Sequence, residues 1–279
     1  MSSLHLLHDC IGVFDSGIGG LTVANAVSEL LPTENLLYIA DNGRAPYGRR
    51  TPAEVQQFSH QITIALQQAG AKLILVACNT ATARAIDQLR LAFPDLQFVG
   101  IEPAVKPAAA ATKTGVIGVL ATQITLGSER YQQLADRYAR QLQILEDPCI
   151  GLVPKIEAGQ KAEQLRPFLE GILNPMLAAN ADTIVLGCTH YPLIKDQIQA
   201  ICGPEVSLIN PAMATARQVA RLIAEQPTAA QSISSPRYDF WATASSLSLE
   251  RTLQQLPSLN RHRALVAGQL QLSSLPDNA

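Results

Sequence analysis

Leu73-Ile-Leu-Val-Ala-Cys78-Asn-Thr80 is an apolar run of mostly branched residues that ends abruptly in a thiol, an amide and a hydroxyl. The pattern returns as Thr183-Ile-Val-Leu-Gly-Cys188-Thr-His190, with the cysteine at the same place relative to the run. Short runs of this composition suit strands buried on both faces of a parallel sheet. In open sheets of that kind, ligands bind just beyond the carboxyl ends of the strands, which puts both thiols at a binding crevice. Two half-domains that each present one cysteine to a shared ligand are therefore expected.

The rest of the chain alternates strand and helix signals, as parallel sheets require. Further strands are expected at Ile11–Phe14, Leu36–Ile39 and Gln97–Ile101, with helices over Leu21–Leu31, Thr51 to Gly70 and Thr80–Leu91. Thr51-Pro-Ala-Glu54 reads as a capping box with proline in the first turn. Pro103 and Pro107 flank an alanine-rich stretch that marks one hinge, and Asn210-Pro211 marks the return hinge. Between them come strands at Thr114–Leu120, Leu142–Leu145 and Val206–Ile209, a helical pattern after Thr122 to about Tyr138, and a helix over Ala162–Ala179. After the return hinge come a helix over Ala212–Glu225, a linker from Pro227 to Pro236, a strand Arg237–Thr243 carrying the only tryptophan, Trp241, and a helix Leu247–Leu256. The residues from Ser273 to Ala279 are expected to fray.

Ser16 precedes Cys78 at nearly the spacing by which Thr122 precedes Cys188, in the same order of strand, hydroxyl, helix, strand and cysteine. The expected fold class is thus α/β: two related three-layer domains with mostly parallel sheets and an active site in the cleft between them. Residues 1–102 with 211–279 form the first domain, carrying Cys78, and residues 103–210 the second, carrying Cys188.

Of 279 residues, 47% are hydrophobic and 16% charged, which excludes a disordered or coiled-coil chain, and a net charge of −2 without basic runs gives no footprint for nucleic acid. The five cysteines, Cys10, Cys78, Cys149, Cys188 and Cys202, are odd in number and lack staple-like spacing, so free thiols in a reducing, cytoplasmic compartment are expected. The start lacks a cationic and apolar leader, and no run approaches the ~18 apolar residues of a membrane span.

Cysteine titrates near ~8.5, and a helix N-terminus or a nearby cation lowers it toward neutrality, where it serves as base when ionised and as acid when not. Two such groups flanking one carbon can remove a proton from one face and return one to the other, which inverts configuration with neither cofactor nor metal. A thiol protease or transferase needs instead one cysteine and one histidine. His190 shares a side with Cys188 on an extended chain and is placed to orient or polarise it, and Asp15 is the matching group beside Cys78. Structural hydrogen bonds are the alternative for both. Asp41 and Glu157 are further candidates for the same support, whereas His5 and His8 are expected to be solvated. Asp15-Ser-Gly-Ile-Gly-Gly20 opens a helix either as an anion-binding turn or as a plain tight turn; it fails as a dinucleotide fingerprint because Thr22 stands at the third glycine position.

Phe14-Asp-Ser-Gly-Ile-Gly-Gly-Leu-Thr-Val23, Pro46-Tyr-Gly48, Ala77-Cys-Asn-Thr-Ala81 and Gly187-Cys-Thr-His-Tyr-Pro192, in this order, closely resemble the glutamate racemase family of the aspartate/glutamate racemase superfamily. The resemblance runs from about Ile11 to Val219. It implies two α/β domains, the chain crossing to the second and returning, and cofactor-independent interconversion of L- and D-glutamate that supplies D-glutamate for peptidoglycan. It implies that Cys78 acts on the α-proton of D-glutamate and Cys188 on that of L-glutamate. Asp15, Ser16, Tyr47, Gly48, Asn79, Thr80, Thr189 and His190 fall on substrate-binding positions, and Glu157 on the acidic position near the histidine. Three departures stand out: Gly43 where alanine is common, Cys149 without a following proline, and Lys155 in place of an apolar residue. The assembly, a homodimer included, is left open. Racemisation of another amino acid, binding without catalysis, and a metal held by Cys78, Cys188 and His190 are the alternatives, the last against the absence of finger-like spacing.

Overall fold

Branched, apolar runs become ten strands in the computed structural model, which describes residues 6–138, 140–226, 236–260 and 263–270, the stretch 263–269 by its backbone alone. In chain order these are β1 (Cys10–Asp15), β2 (Asn35–Ala40), β3 (Ala71–Val76), β4 (Gln97–Gly100), β5 (Val116–Ala121), β6 (Gln143–Asp147), β7 (Thr183–Gly187), β8 (Ser207–Ile209), β9 (Tyr238–Ala242) and β10 (Arg263–Gln269). One sheet has the order β10-β9-β2-β1-β3-β4 and the other β6-β5-β7-β8. Every pairing is parallel. Each sheet lies in its own compact unit: residues up to Ile101 with those from Ala212 onward, and Glu102–Pro211.

The order β2-β1-β3-β4 is repeated as β6-β5-β7-β8, so Cys78 and Cys188 follow equivalent strands. In the second unit the layers are visible in β7 itself. Ile184 and Leu186 enter one core with Leu165, Leu169 and Ile198, while Val185 enters another with Val105, Ala108 and Tyr131. In the first unit Ile74 and Val76 of β3 join Val55, Ile62 and Ala85, and Leu73 and Leu75 are fully buried on the other face. The helix Ala212–Ala224 packs on the helix Leu21–Leu30 of the same unit. Thr51 accepts from the Glu54 N–H and Glu54 accepts from the Thr51 N–H, the reciprocal box that the sequence predicts.

Several expectations need correction. The alanine-rich hinge stretch is a helix, Val105–Ala111, with Pro107 in its first turn, where no N–H is missed. The pattern after Thr122 breaks into Gln123–Leu126 and Glu129–Asp136, because Gly127 ends the first and Ser128 caps the second. Helices at Leu152–Glu157, Lys195–Cys202 and Pro257–Asn260, and β10, were not expected; the short helices have too few turns to show a period. Residues 227–235 of the linker expected from Pro227 to Pro236, His5 and the tail 273–279 lie outside the described residues. Among the described residues no helix is long and apolar enough to cross a membrane.

Asp182, at the turn into β7, ties that turn to the end of the helix before β5. Its carboxylate accepts from Thr112 Oγ1 at 2.6 Å, Lys113 N at 2.7 Å, Thr114 N at 3.0 Å and Thr183 Oγ1 at 3.0 Å. Burial opposes the charge, but these donors outweigh it and pull the carboxyl down to about 2. Because the folded value lies below the unfolded one, the stabilisation is complete above the unfolded value of ~3.9 and is lost as pH falls through the folded value. Asp182→Asn is expected to lower the urea midpoint at pH 7 by the equivalent of about 1–3 kcal/mol. The gap from the parent chain narrows as pH falls from about 4 toward about 2; a gap unchanged by pH would refute the assignment.

Candidate active site

In the first unit the ladder continues past β3 through Ala77, whose N–H donates to Phe14 O at 2.8 Å, and delivers Cys78 as the N-cap of the helix Asn79–Ala92. This is the gap between β1 and β3, where the strand order reverses and α/β sheets bind ligands. Cys78 is buried, with Sγ 3.7 Å from Ser16 Oγ. Burial pushes the thiol well above its ordinary value and the Asp15 carboxylate adds to this, while the N–H groups of Ala81 and Ser16 and the Ser16 hydroxyl oppose it. The expectation of a thiol lowered by its helix N-terminus therefore does not hold for Cys78. Desolvation outweighs the donors that the helix start supplies.

Asp15 is fully buried, and its Oδ2 accepts from Gly20 N at 2.9 Å and Gly17 N at 3.3 Å. Two N–H groups of the glycine turn are thus taken by the chain's own carboxylate rather than left for a ligand anion. A Cβ on Gly20 would stand 2.6 Å from the Asp15 Cβ and 2.9 Å from the Tyr38 hydroxyl, so only glycine allows this closure. Asn79 and Thr80, buried in the first turn of the helix, lie next to Cys78. Both amide atoms of Asn79 are buried without a hydrogen-bond partner among the described residues, and such a group calls for a missing partner. Tyr47 is buried in the turn Tyr47–Arg49, which packs on the helix Asn79–Ala92 and includes the half-buried Gly48. Its hydroxyl donates its proton to Asp41.

In the second unit Cys188 lies directly after β7, buried, with Sγ 3.9 Å from His190 Nδ1. His190 Nε2 is 2.9 Å from Glu157 Oε1. A proton on Nε2, held by Glu157, leaves Nδ1 as the acceptor that faces the thiol. Glu157 ends the helix Leu152–Glu157, entered through Gly151 at φ 94°, so a short helix hidden behind Pro154 puts the carboxylate in place. Thr189 is buried beside them.

The sequence-predicted residues thus divide by unit: Asp15, Ser16, Tyr47, Gly48, Asn79 and Thr80 accompany Cys78, and Thr189, His190 and Glu157 accompany Cys188. Sequence reading missed Tyr191, which shares a core with Cys188 and whose hydroxyl faces Cys149, a thiol raised by burial. Its place immediately after His190 was the available signal. Arg44 and Thr243 were missed too; both bond Asp41. All five cysteines are unbridged, and among the described residues no three His, Cys, Asp or Glu side chains form a metal-holding group.

Two parallel sheets that share the 2-1-3-4 strand order, each followed at the end of its third strand by a buried thiol with polar support, define the α/β class of the fold. The Asp/Glu/hydantoin racemase family model matches residues 20–219, and the chain belongs to that family. Within it the kinship is with glutamate racemases, so the chain is an amino-acid racemase, an isomerase. It is 46% identical over 249 residues to the glutamate racemase of Pseudomonas putida (strain W619), covering 88% of this chain and 93% of that one. The crystal structure of the Escherichia coli glutamate racemase in complex with L-glutamate and the activator UDP-MurNAc-ala matches with a TM-score of 0.80 at 32% identity, over 94% of this chain and 98% of that one. That of the Francisella tularensis enzyme in complex with D-glutamate matches with a TM-score of 0.81 at 28% identity, over 96% and 99%.

A thiol raised by burial is protonated at neutral pH and reacts slowly with alkylating agents. Cys78 modification by iodoacetamide, followed by peptide mass, is expected to have a pH midpoint above the ordinary ~8.5, and Asp15→Asn is expected to lower it by removing the repelling charge. A midpoint near 7 in the parent chain would contradict the dominance of desolvation.

Proposed function

We propose that the chain interconverts L- and D-glutamate without a cofactor, Cys78 and Cys188 acting as two bases on opposite faces of the α-carbon, and that it supplies D-glutamate for peptidoglycan in the cytoplasm. The observation that carries the reading is the repeated β2-β1-β3-β4 order with a buried thiol after the third strand of each sheet. The glutamate complexes of the E. coli and F. tularensis relatives support the choice of substrate, and the peptidoglycan role is what the motif resemblance implies.

In the L-to-D direction Cys188 takes the α-proton as a thiolate, and Cys78 gives its thiol proton to the opposite face. The sulfurs exchange roles for the reverse reaction. The raised Cys78 thiol suits this resting state, since it starts as the acid. An amino-acid α-carbon is a far weaker acid than a thiol, so a base strengthened by desolvation and a site that spreads the negative charge are both needed. His190, held by Glu157, accepts the Cys188 proton and so supplies the thiolate. Asp15, Ser16, Tyr47, Gly48, Asn79, Thr80, Thr189 and His190 bind the substrate, with the Asn79 amide filling its missing bonds from the amino acid's polar groups.

Incubated with L-glutamate in D₂O, the enzyme is expected to yield D-glutamate that carries deuterium at the α-carbon, because the incoming proton comes from a solvent-exchanged thiol. Product that retains its original α-hydrogen throughout would rule out two separate bases. Cys78→Ala is expected to keep its fold and lose racemisation by at least about 10³-fold, the upper part of the range for one acid–base group.

A further inference from the structure

The loop from Asp41 to Gly48 is held by a segment some 200 residues further along the chain. Thr243, just past the end of β9, donates its N–H to Ala40 O at 2.9 Å. The Thr243 hydroxyl uses both of its capacities: it accepts from Gly43 N at 2.9 Å and donates to Asp41 Oδ1 at 2.8 Å. Asn42 closes the contact from the other side, donating Nδ2 to Ser245 O at 2.7 Å and accepting from Ala244 N at 2.9 Å.

Asp41 passes this hold onward. Fully buried, it accepts from Arg44 Nε at 2.7 Å and from the Tyr47 hydroxyl. Arg44 in turn donates to Gln61 Oε1 at 2.6 Å and lies 4.2 Å over the Phe58 ring, against which Tyr47 packs at 5.8 Å. Two hydrogen bonds therefore connect Thr243 to Tyr47, and Tyr47 shares a buried core with Cys78. Gly43, one of the three departures in the motif, belongs to the same contact. A Cβ there would stand 3.1 Å from Thr243 Oγ1 and 3.2 Å from the Thr243 carbonyl oxygen, so an alanine would push the hydroxyl away from Asp41.

We propose that Thr243, together with Asn42 and Gly43, is a positioning element of the Cys78 half of the site: it fixes Asp41, and through Asp41 it seats the Tyr47–Gly48 turn against Cys78. The effect on turnover rests on the reading above, in which Tyr47 and Gly48 bind substrate. The effect on the seating of Tyr47 beside the thiol does not.

Thr243→Val keeps the shape and removes the hydroxyl, which strands Gly43 N and leaves Asp41 Oδ1 with Arg44 Nε at 2.9 Å as its remaining donor, and Thr243→Ser keeps the hydroxyl. Gly43→Ala disturbs the contact from the other side and serves as well if the valine variant does not fold. Kinetics with glutamate and the rate of Cys78 modification by iodoacetamide are measured well below the melting temperature. Thr243→Val and Gly43→Ala are expected to raise KM about tenfold with kcat changed less than about threefold, the pattern of lost binding rather than lost chemistry. Both are expected to speed Cys78 modification several-fold, while Thr243→Ser stays close to the parent chain in both readouts. Parent-like KM and modification rates in Thr243→Val and Gly43→Ala, with only a lower melting temperature, would leave the clasp a purely structural contact and overturn the proposal. So would a serine variant as impaired as the valine one. Since alkylation needs no turnover, a chain inactive on glutamate would still report on the clasp, and the two failures are told apart.

Discussion

Desolvation of a thiol at the carboxyl end of a central parallel strand is the constraint on which the surroundings of Cys78 depend. A parallel sheet buried on both faces has its polar groups to spare only at the strand ends, where the next helix begins. Cys78 occupies that place after β3 and is kept neutral by burial and by the Asp15 carboxylate, against the pull of Ser16 and Ala81. The same burial leaves the Asn79 amide without a partner among the described residues. A protonated, desolvated sulfur beside an unsatisfied amide is poor material for a stable core. We propose that a polar substrate completes this hydrogen bonding and that the reaction uses the proton.

The two units repeat a strand order but not a chemical surrounding. Cys78 is supported by the Ser16 hydroxyl and the N–H groups of a turn and a helix start, whereas Cys188 has the imidazole of His190, anchored on Glu157. The repeat places a thiol after the third strand in each unit, and the supports around the two sulfurs differ.

Much of this was legible in the sequence because it is local. β3 and β7 are buried on both faces, so their apolar runs are continuous and the cysteine that ends each is visible. Thr51 and Glu54 obey a rule spanning three residues. What escaped depends on distance or on burial. The helix Leu152–Glu157 is too short to show a period and carries Pro154, although Glu157 itself was a candidate both by its chemistry and by family resemblance. The hold of Thr243 on Asp41 joins residues from opposite ends of the chain. The raised Cys78 thiol reverses what its helix position alone predicts, because the desolvation that decides it is set by the whole unit.

A crystal structure with glutamate bound tests the central claim most directly. The account predicts both sulfurs at reacting distance from the α-carbon, about 3.5 Å, on opposite faces of its plane of inversion. One sulfur far from that carbon, or both on the same face, would contradict it.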